Sequence, residues 1–402
     1  MSPSSGGPEG LGAPGSPGSA SGLEPLLEGL NRPEAYPHGA EDLELVQTHI
    51  SAVFLAGPYA YKLKKPVDFG FVDFSTLERR RRFCHAEVRL NRRLAPGVYH
   101  GVVPVVPGPD GPRIPADALD RRPRAPVGAP AKEVVEWAVR MERLPAGRTL
   151  ESLLDTGELE GEAAVAFLDR LARLLAGFHA GADRGDHISG IGGFASVVEN
   201  VRENFDELEE AVGSTLSRAV LDRLRLHSEA ALERLRTLME ARERRNVPCD
   251  THGDLRLGHV YHLDEGSEER IVIVDCIEFN ERFRYADPVA DIAFLAMELE
   301  FEDRPDLART FTASYLAAAD DAEGEELLPF YVAYRDVVRG KVRSLTAADE
   351  DIPGPERKRA RSRATRHLLR ALGRLAPPDE RPALVLVAGL PGVGKSVLAR
   401  AL

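Results

Sequence analysis

The stretch Cys249–Asp291 holds two acidic positions, Asp254 and Asp275, on either side of a candidate β-hairpin. Val260–Leu263 reads as one strand, residues 264–269 with Gly266 as a polar turn, and Ile271–Val274 as a second, β-branched strand. A hairpin brings its two ends together, so both carboxylates are expected in one place. Held close, two carboxylates repel unless a cation or a proton is shared between them. Phosphoryl transfer needs such a pair: one carboxylate accepts a hydroxyl proton and the other holds Mg²⁺ on ATP. The competing reading is two unrelated turn aspartates.

The letters around the pair separate these readings. His252-Gly253-Asp254, followed by Val274-Asp275, resembles the catalytic segment of the aminoglycoside phosphotransferase family, which shares the protein-kinase-like fold. The resemblance implies that Asp254, in its motif with His252, is the catalytic base and that Asp275 binds Mg²⁺. Asp287-Pro288 and Asp291-Ile292-Ala293 continue it, the later aspartate bracing the catalytic loop. One position departs from the pattern: His259 stands where the family has an asparagine as second metal ligand. Neutral imidazole suits hard Mg²⁺ less well than a carbonyl oxygen. With His259 as the metal-site candidate, the expectation is a lost or water-mediated second site, or weak activity. A nucleotide-binding pseudokinase is the alternative.

The elements that must position these groups are legible upstream. Thr48–Lys65 reads as a hairpin, with strands His49–Ala56 and Ala60–Lys64 about a Gly57-Pro58 turn. In a kinase-like fold the second strand carries the phosphate-gripping lysine. Lys62 and Lys64 share one strand face and the sequence does not separate them, although Ala60-Tyr61-Lys62 fits the family pattern slightly better. The following helix, Phe74–Leu94, has Ser75 as N-cap with Glu78 completing a capping box. Glu87, in mid-helix, is the candidate partner for the lysine. Trp137–Leu144 reads as a strand entering an interlobe hinge, where Glu142 and Leu144 would offer backbone groups to adenine.

Long helices follow: Gly161–Ala182, Ala195–Val212, Leu216–Arg242, Pro288–Glu300, Pro305–Ala319, Glu325–Leu345 and Pro355–Leu375. Their stripes of apolar residues at helical spacing mark a packed lobe. His179 reads as a core or capping histidine. Glu199, Glu203, Glu207, Glu209 and Glu210 read as a solvated face, with an acidic wall for a cationic substrate as the alternative. Arg339, Lys341 and Arg343 read as surface charge.

At the end of the chain, the apolar run Pro382–Ala388 leads into Gly389-Leu390-Pro391-Gly392-Val393-Gly394-Lys395-Ser396, a full Walker A match before a helical segment. Gly389, Gly392 and Gly394 would let backbone N–H groups cradle phosphates, Lys395 would reach β/γ oxygens and Ser396 would ligate Mg²⁺. The chain stops six residues later, at Leu402. The reading is the start of a P-loop domain in a fusion of two kinase-like units.

The whole chain of 402 residues has 52 basic against 64 acidic side chains, a balance of −12 that disfavours nucleic acid as partner. Three cysteines without a CxxC pair suit a reducing compartment. No apolar run reaches membrane-spanning length, so a cytoplasmic protein is expected. The fold expected is α+β: a disordered tail (1–22), a small β-rich N-lobe (23–144), a helical C-lobe (145–375) and the P-loop start (376–402). The function expected is ATP- and Mg²⁺-dependent phosphorylation of a hydroxyl on a small molecule, with a regulatory nucleotide-binding module as the alternative.

Overall fold

The structure is a computed structural model and describes residues 23–70, 72–118, 134–265 and 268–381. The 1–22 tail, Gly266 and the whole Walker A motif, with Gly389, Gly392, Gly394, Lys395 and Ser396, lie outside the described residues.

The N-terminal lobe is built from α1 (Glu24–Leu30), β1 (Leu43–Gln47), β2 (Ser51–Ala56), β3 (Tyr59–Lys64), α2 (Leu77–Asn91), β4 (Tyr99–Val105) and β5 (Glu136–Glu142). The strands form one antiparallel sheet in the order β1-β2-β3-β5-β4. β2 and β3 meet through a tight turn in which Gly57 takes φ +57° and pairs Ala56 with Tyr59. Such left-handed backbone is the conformation glycine adopts without cost. Strand alternation then divides β3 between two faces. Tyr61 and Leu63 pack with Phe54, Leu27 and Leu30 under α1, while Lys62 and Lys64 face α2.

Two local expectations are corrected here. β1 occupies a stretch for which the sequence suggested no element. The N-cap of α2 is Thr76, whose side chain accepts the Arg79 N–H, rather than Ser75. Asp73 captures Ser75 instead, accepting both its N–H (3.0 Å) and its hydroxyl (2.6 Å). A carboxylate two residues upstream outcompetes the helix for that serine.

The C-terminal lobe begins with α3 (Leu150–Asp155), α4 (Gly161–Ala180), α5 (Asp186–Gly192), α6 (Phe194–Leu208) and α7 (Arg218–Arg244). β6 (Cys249–Asp250), the hairpin β7 (Val260–Glu265) and β8 (Glu268–Ile273), α8 (Glu281–Arg284) and β9 (Tyr285–Ala286) follow. α9 (Pro288–Phe301), α10 (Pro305–Ala319), α11 (Gly324–Ala348) and α12 (Gly354–Leu375) complete it. α9 is buried almost all round and divides two cores. On one side Phe167, Leu171 and Leu175 of α4 meet Ile292, Leu295 and Phe311. On the other, Phe205, Leu224, Tyr331 and Leu368 draw α6, α7, α11 and α12 together. The result is an α+β molecule with a β-sheet lobe and a helical lobe. Among the described residues no helix is long and apolar enough to cross a membrane.

Candidate active site

The β7–β8 hairpin does what its pattern predicts: Val260 pairs with Ile273, so the chain just before β7 and just after β8 meet. Asp254 lies in the loop before β7 and Asp275 follows β8. Both line one cavity of about 430 Å³ between sheet and helices, with Lys62, Lys64 and Glu278.

The loop that carries Asp254 is fixed by buried hydrogen bonds. The Asp291 carboxylate, fully buried on α9, accepts the N–H groups of His252 (3.0 Å) and Gly253 (2.9 Å) and also meets His179 Nε2 at 3.1 Å. Burial works against its charge, yet the His179 hydrogen bond prevails and holds its pKa down at about 2. Gly253 takes φ +85°, and a Cβ there would stand 2.9 Å from the Phe283 carbonyl oxygen. The glycine of the His-Gly-Asp motif is thus required by backbone shape and by space.

His252 is 1% exposed and lies behind the loop rather than on the cavity wall. Its Nε2 donates to the Val274 carbonyl (3.1 Å), and its Nδ1 accepts the Asp254 N–H at 3.4 Å. Burial keeps the ring neutral, lowering its pKa to about 4. His252 therefore tethers the loop to the strand end before Asp275.

Asp275 adopts φ +67°, a left-handed turn that aims its carboxylate back at β3. Lys62 Nζ is 2.7 Å from Asp275 Oδ1 and 3.0 Å from Glu87 Oε1. Lys64 Nζ is 2.8 Å from Glu87 Oε2 and donates to Glu278 as well. The two lysines are not alternatives: Glu87 has two carboxylate oxygens and each lysine takes one. Burial pulls the Lys62 ammonium down, but Asp275 and Glu87 outweigh it and leave its pKa well above the usual lysine range. For Asp275, burial is likewise overcome, chiefly by Lys62, and its carboxyl stays well below the usual range. Burial raises the Glu278 pKa, whereas the two lysines hold Glu87 low against the same burial.

His259 stands between the two aspartates. Its Nδ1 is 2.9 Å from the Asp254 carbonyl oxygen and 3.6 Å from Asp254 Oδ2, and its Nε2 is 3.7 Å from Asp275 Oδ2. A carbonyl only accepts, so Nδ1 donates to it, and in the neutral ring Nε2 then carries a lone pair. Two lone-pair atoms then face each other across 3.7 Å. One nitrogen and one carboxylate oxygen are two of the ligands a divalent cation would need, and among the described residues no third His, Cys, Asp or Glu side chain joins them. His262 belongs elsewhere, paired with Glu269 and packed on Phe167. The Asp254 carboxylate itself is about a quarter exposed (24%) and faces the cavity.

The structure thus brings together Asp254, Asp275, His259, Lys62, Lys64 and Glu87. It does not bring Glu142 or Leu144 to the cavity wall: the Glu142 N–H is used on the Val98 carbonyl, and its side chain lies 3.7 Å from Arg270. Sequence reasoning missed Glu278, three residues beyond Asp275. It also assigned Glu203, Glu207, Arg339 and Lys341 to solvent, although all four line the cavity. The available signal was that α6 and α11 each carry charges on the stripe adjoining their apolar face.

Comparison with known proteins identifies a family. The model of a family described as "Phosphotransferase enzyme family" matches residues 74–328. Uncharacterized proteins of Mycobacterium bovis and Mycobacterium tuberculosis are 34% identical over 358 residues, covering 89% of this chain and 64% of theirs. The chain therefore spans less than two thirds of the length of these relatives. Among solved structures, a choline/ethanolamine kinase family protein from Mesorhizobium loti aligns with TM-score 0.49 at 15% identity, covering 88% of this chain and 96% of its own. An amicoumacin kinase aligns with TM-score 0.48 at 14% identity over 87% and 93%.

Proposed function

The chain belongs to the phosphotransferase enzyme family, and on that premise we propose that it is a kinase transferring the terminal phosphoryl group of ATP to a hydroxyl of a small molecule. The observation that carries this reading is the convergence on one cavity of Asp254, whose carboxylate has no hydrogen bond among the described residues, and a buried lysine–carboxylate network, Lys62–Asp275 and Lys64–Glu87–Glu278.

In this reading Asp254 accepts the acceptor's hydroxyl proton as the oxygen attacks phosphorus. Asp291 and His252 act through Asp254, holding its loop still from behind. Lys62 takes phosphate oxygens, and the Lys64–Glu87 pair fixes the strand and helix between which Lys62 reaches out. Asp275, with His259 Nε2, would hold Mg²⁺, which when bound neutralises charge on the phosphate oxygens. Those two side chains are already oriented by the β8 turn and by the Asp254 carbonyl. The cavity volume suits a small-molecule ligand.

Asp254→Ala in the full chain is expected to lower phosphoryl transfer by about 10²–10⁴-fold, the range for a lost general base. ATP affinity, read by calorimetric titration with Mg²⁺, is expected to stay within about twofold, because no phosphate contact is assigned to this residue. Equal losses in transfer and nucleotide affinity would remove Asp254 from the base role. A second reading, a nucleotide-binding module without transfer, draws on His259 at the asparagine position. Nucleotide binding with no turnover in the unaltered protein would establish that reading instead.

A further inference from the structure

The charges around the acceptor side of the cavity do not balance, and the imbalance has a sign. The carboxylates are already engaged. Glu203 of α6 lies 2.5 Å from Arg282, Glu207 lies 3.1 Å from Lys341, and Asp287 is held by the Arg242 fork at 2.7 and 3.0 Å. The acidic wall that would suit a cationic acceptor is thereby neutralised from within the protein.

The reverse holds for two arginines of α11. Arg335 and Arg339 are one helical turn apart on the same face, line the cavity, and are only 8% and 5% exposed. Arg335 Nε donates to the Ala290 carbonyl at 3.0 Å, and its guanidinium lies over the rings of Phe294 and Tyr334. Among the described residues it has no carboxylate partner. Among the described residues Arg339 has one carboxylate within 4 Å, Glu298 Oε1 at 3.9 Å, with the Asp254 charge acting from farther off, and that glutamate already binds Arg256 at 3.1 Å and the Leu257 N–H at 2.8 Å. Among the described residues Arg339 Nε has no hydrogen-bond partner. Burial first, then the Arg256 charge, pushes its pKa down to about 9.

A buried guanidinium without a carboxylate is costly, and folded proteins retain one where a ligand completes it. The guanidinium fork matches the paired oxygens of a carboxylate or phosphate. We propose that the acceptor hydroxyl compound carries an anionic group, carboxylate or phosphate, and that Arg335 and Arg339 receive it while Asp254 faces the hydroxyl. This rests on the kinase reading and extends it to the substrate class: neutral and cationic alcohols are disfavoured.

A matched pyranose series tests the sign directly: D-glucuronate, D-glucose 6-phosphate, D-glucose and D-glucosamine, each titrated calorimetrically into the full chain saturated with Mg²⁺ and a non-hydrolysable ATP analogue. The expected result is that glucuronate or glucose 6-phosphate binds at least about tenfold more tightly than glucose or glucosamine. The stronger of the two identifies the anion as carboxylate or phosphate. Arg335→Lys and Arg339→Met should each erase most of that preference. Arg339→Met should also raise the melting temperature of the ligand-free protein, since it removes an unpaired buried charge; a fall would give the arginine a structural partner and overturn its assignment. Equal response to all four sugars, no response included, or a preference for glucosamine would overturn the proposal. The nucleotide titration that precedes each run separates the two ideas: failure of the analogue to bind sinks the kinase reading, whereas normal nucleotide binding without anion preference sinks only this inference.

Discussion

Asp275, Lys62, Glu87, Lys64 and Glu278 form a chain of alternating charge in which each link is within hydrogen-bond reach of the next. Position in that chain decides what a substitution does. Lys64 is 1% exposed and touches two buried carboxylates, so Lys64→Met leaves Glu278 without its cation and Glu87 with Lys62 alone. The expected cost is about 3–5 kcal/mol of stability, as for a broken buried ion pair. Lys62→Met leaves Glu87 still paired with Lys64 and should cost less stability while weakening ATP binding more. Melting temperature and nucleotide titration, measured on both variants, check this; the opposite ranking would exchange the roles of the two lysines. The sequence could not have resolved this pair, because it framed the choice as one lysine per glutamate. Glu278 and the α11 arginines were hidden for a related reason. Charged residues on a helix or loop read as solvated until a segment far away in the chain is seen to cover them.

At the scale of elements, the helices were legible because their apolar stripes run for three turns or more, and the boundaries moved by only a few residues. Three short strands were not. β1, with its half-exposed pattern, has no β-branched run, and β6 and β9 are two residues each, below any periodicity. What no periodicity reveals is how elements are tied. Arg242, near the end of α7, forks onto Asp287 at the cap of α9 and onto Asp321 between α10 and α11 at 2.6 and 2.7 Å. Asp287 in turn accepts the Val289 N–H to start α9, the helix whose next turn bears Asp291. Arg242→Ala is therefore expected to cost about 3–5 kcal/mol and to depress transfer through the loop, although Arg242 is outside the cavity wall. Chemical denaturation gives the first value. Full activity in a destabilised variant would show that the tie serves stability alone.

The whole molecule has a pH response written into the contact between α11 and α12. Asp336 and His367 are both buried and lie 2.7 Å apart. Burial pushes the Asp336 carboxyl up to about 8, and burial with the nearby Arg339 charge keeps His367 neutral. A carboxyl whose folded pKa is raised contributes stability in full below its unfolded value near 3.8 and loses it as pH rises towards 8. Stability should fall across that window by at most about 1.4 kcal/mol per pH unit from this group. Asp336→Asn should flatten the decline and be the more stable chain at pH 8.5, as thermal melts from pH 5 to 8.5 would record. A parallel decline in both proteins would mean that Asp336 is ionised throughout.

The contact between Lys62 and Asp275 has one more consequence. In the kinase reading each of these charges is destined for a different guest, the lysine for phosphate and the aspartate for the cation. Folding has already taken most of the water from both, and they hold each other in place until then. The desolvation that dominates the formation of a buried ion pair is met when the protein folds, so the guests exchange partners in a preorganised site rather than assemble one. Bare or occupied, this pair keeps its two charges compensated, and the arrival of nucleotide and metal together becomes a swap of counterions.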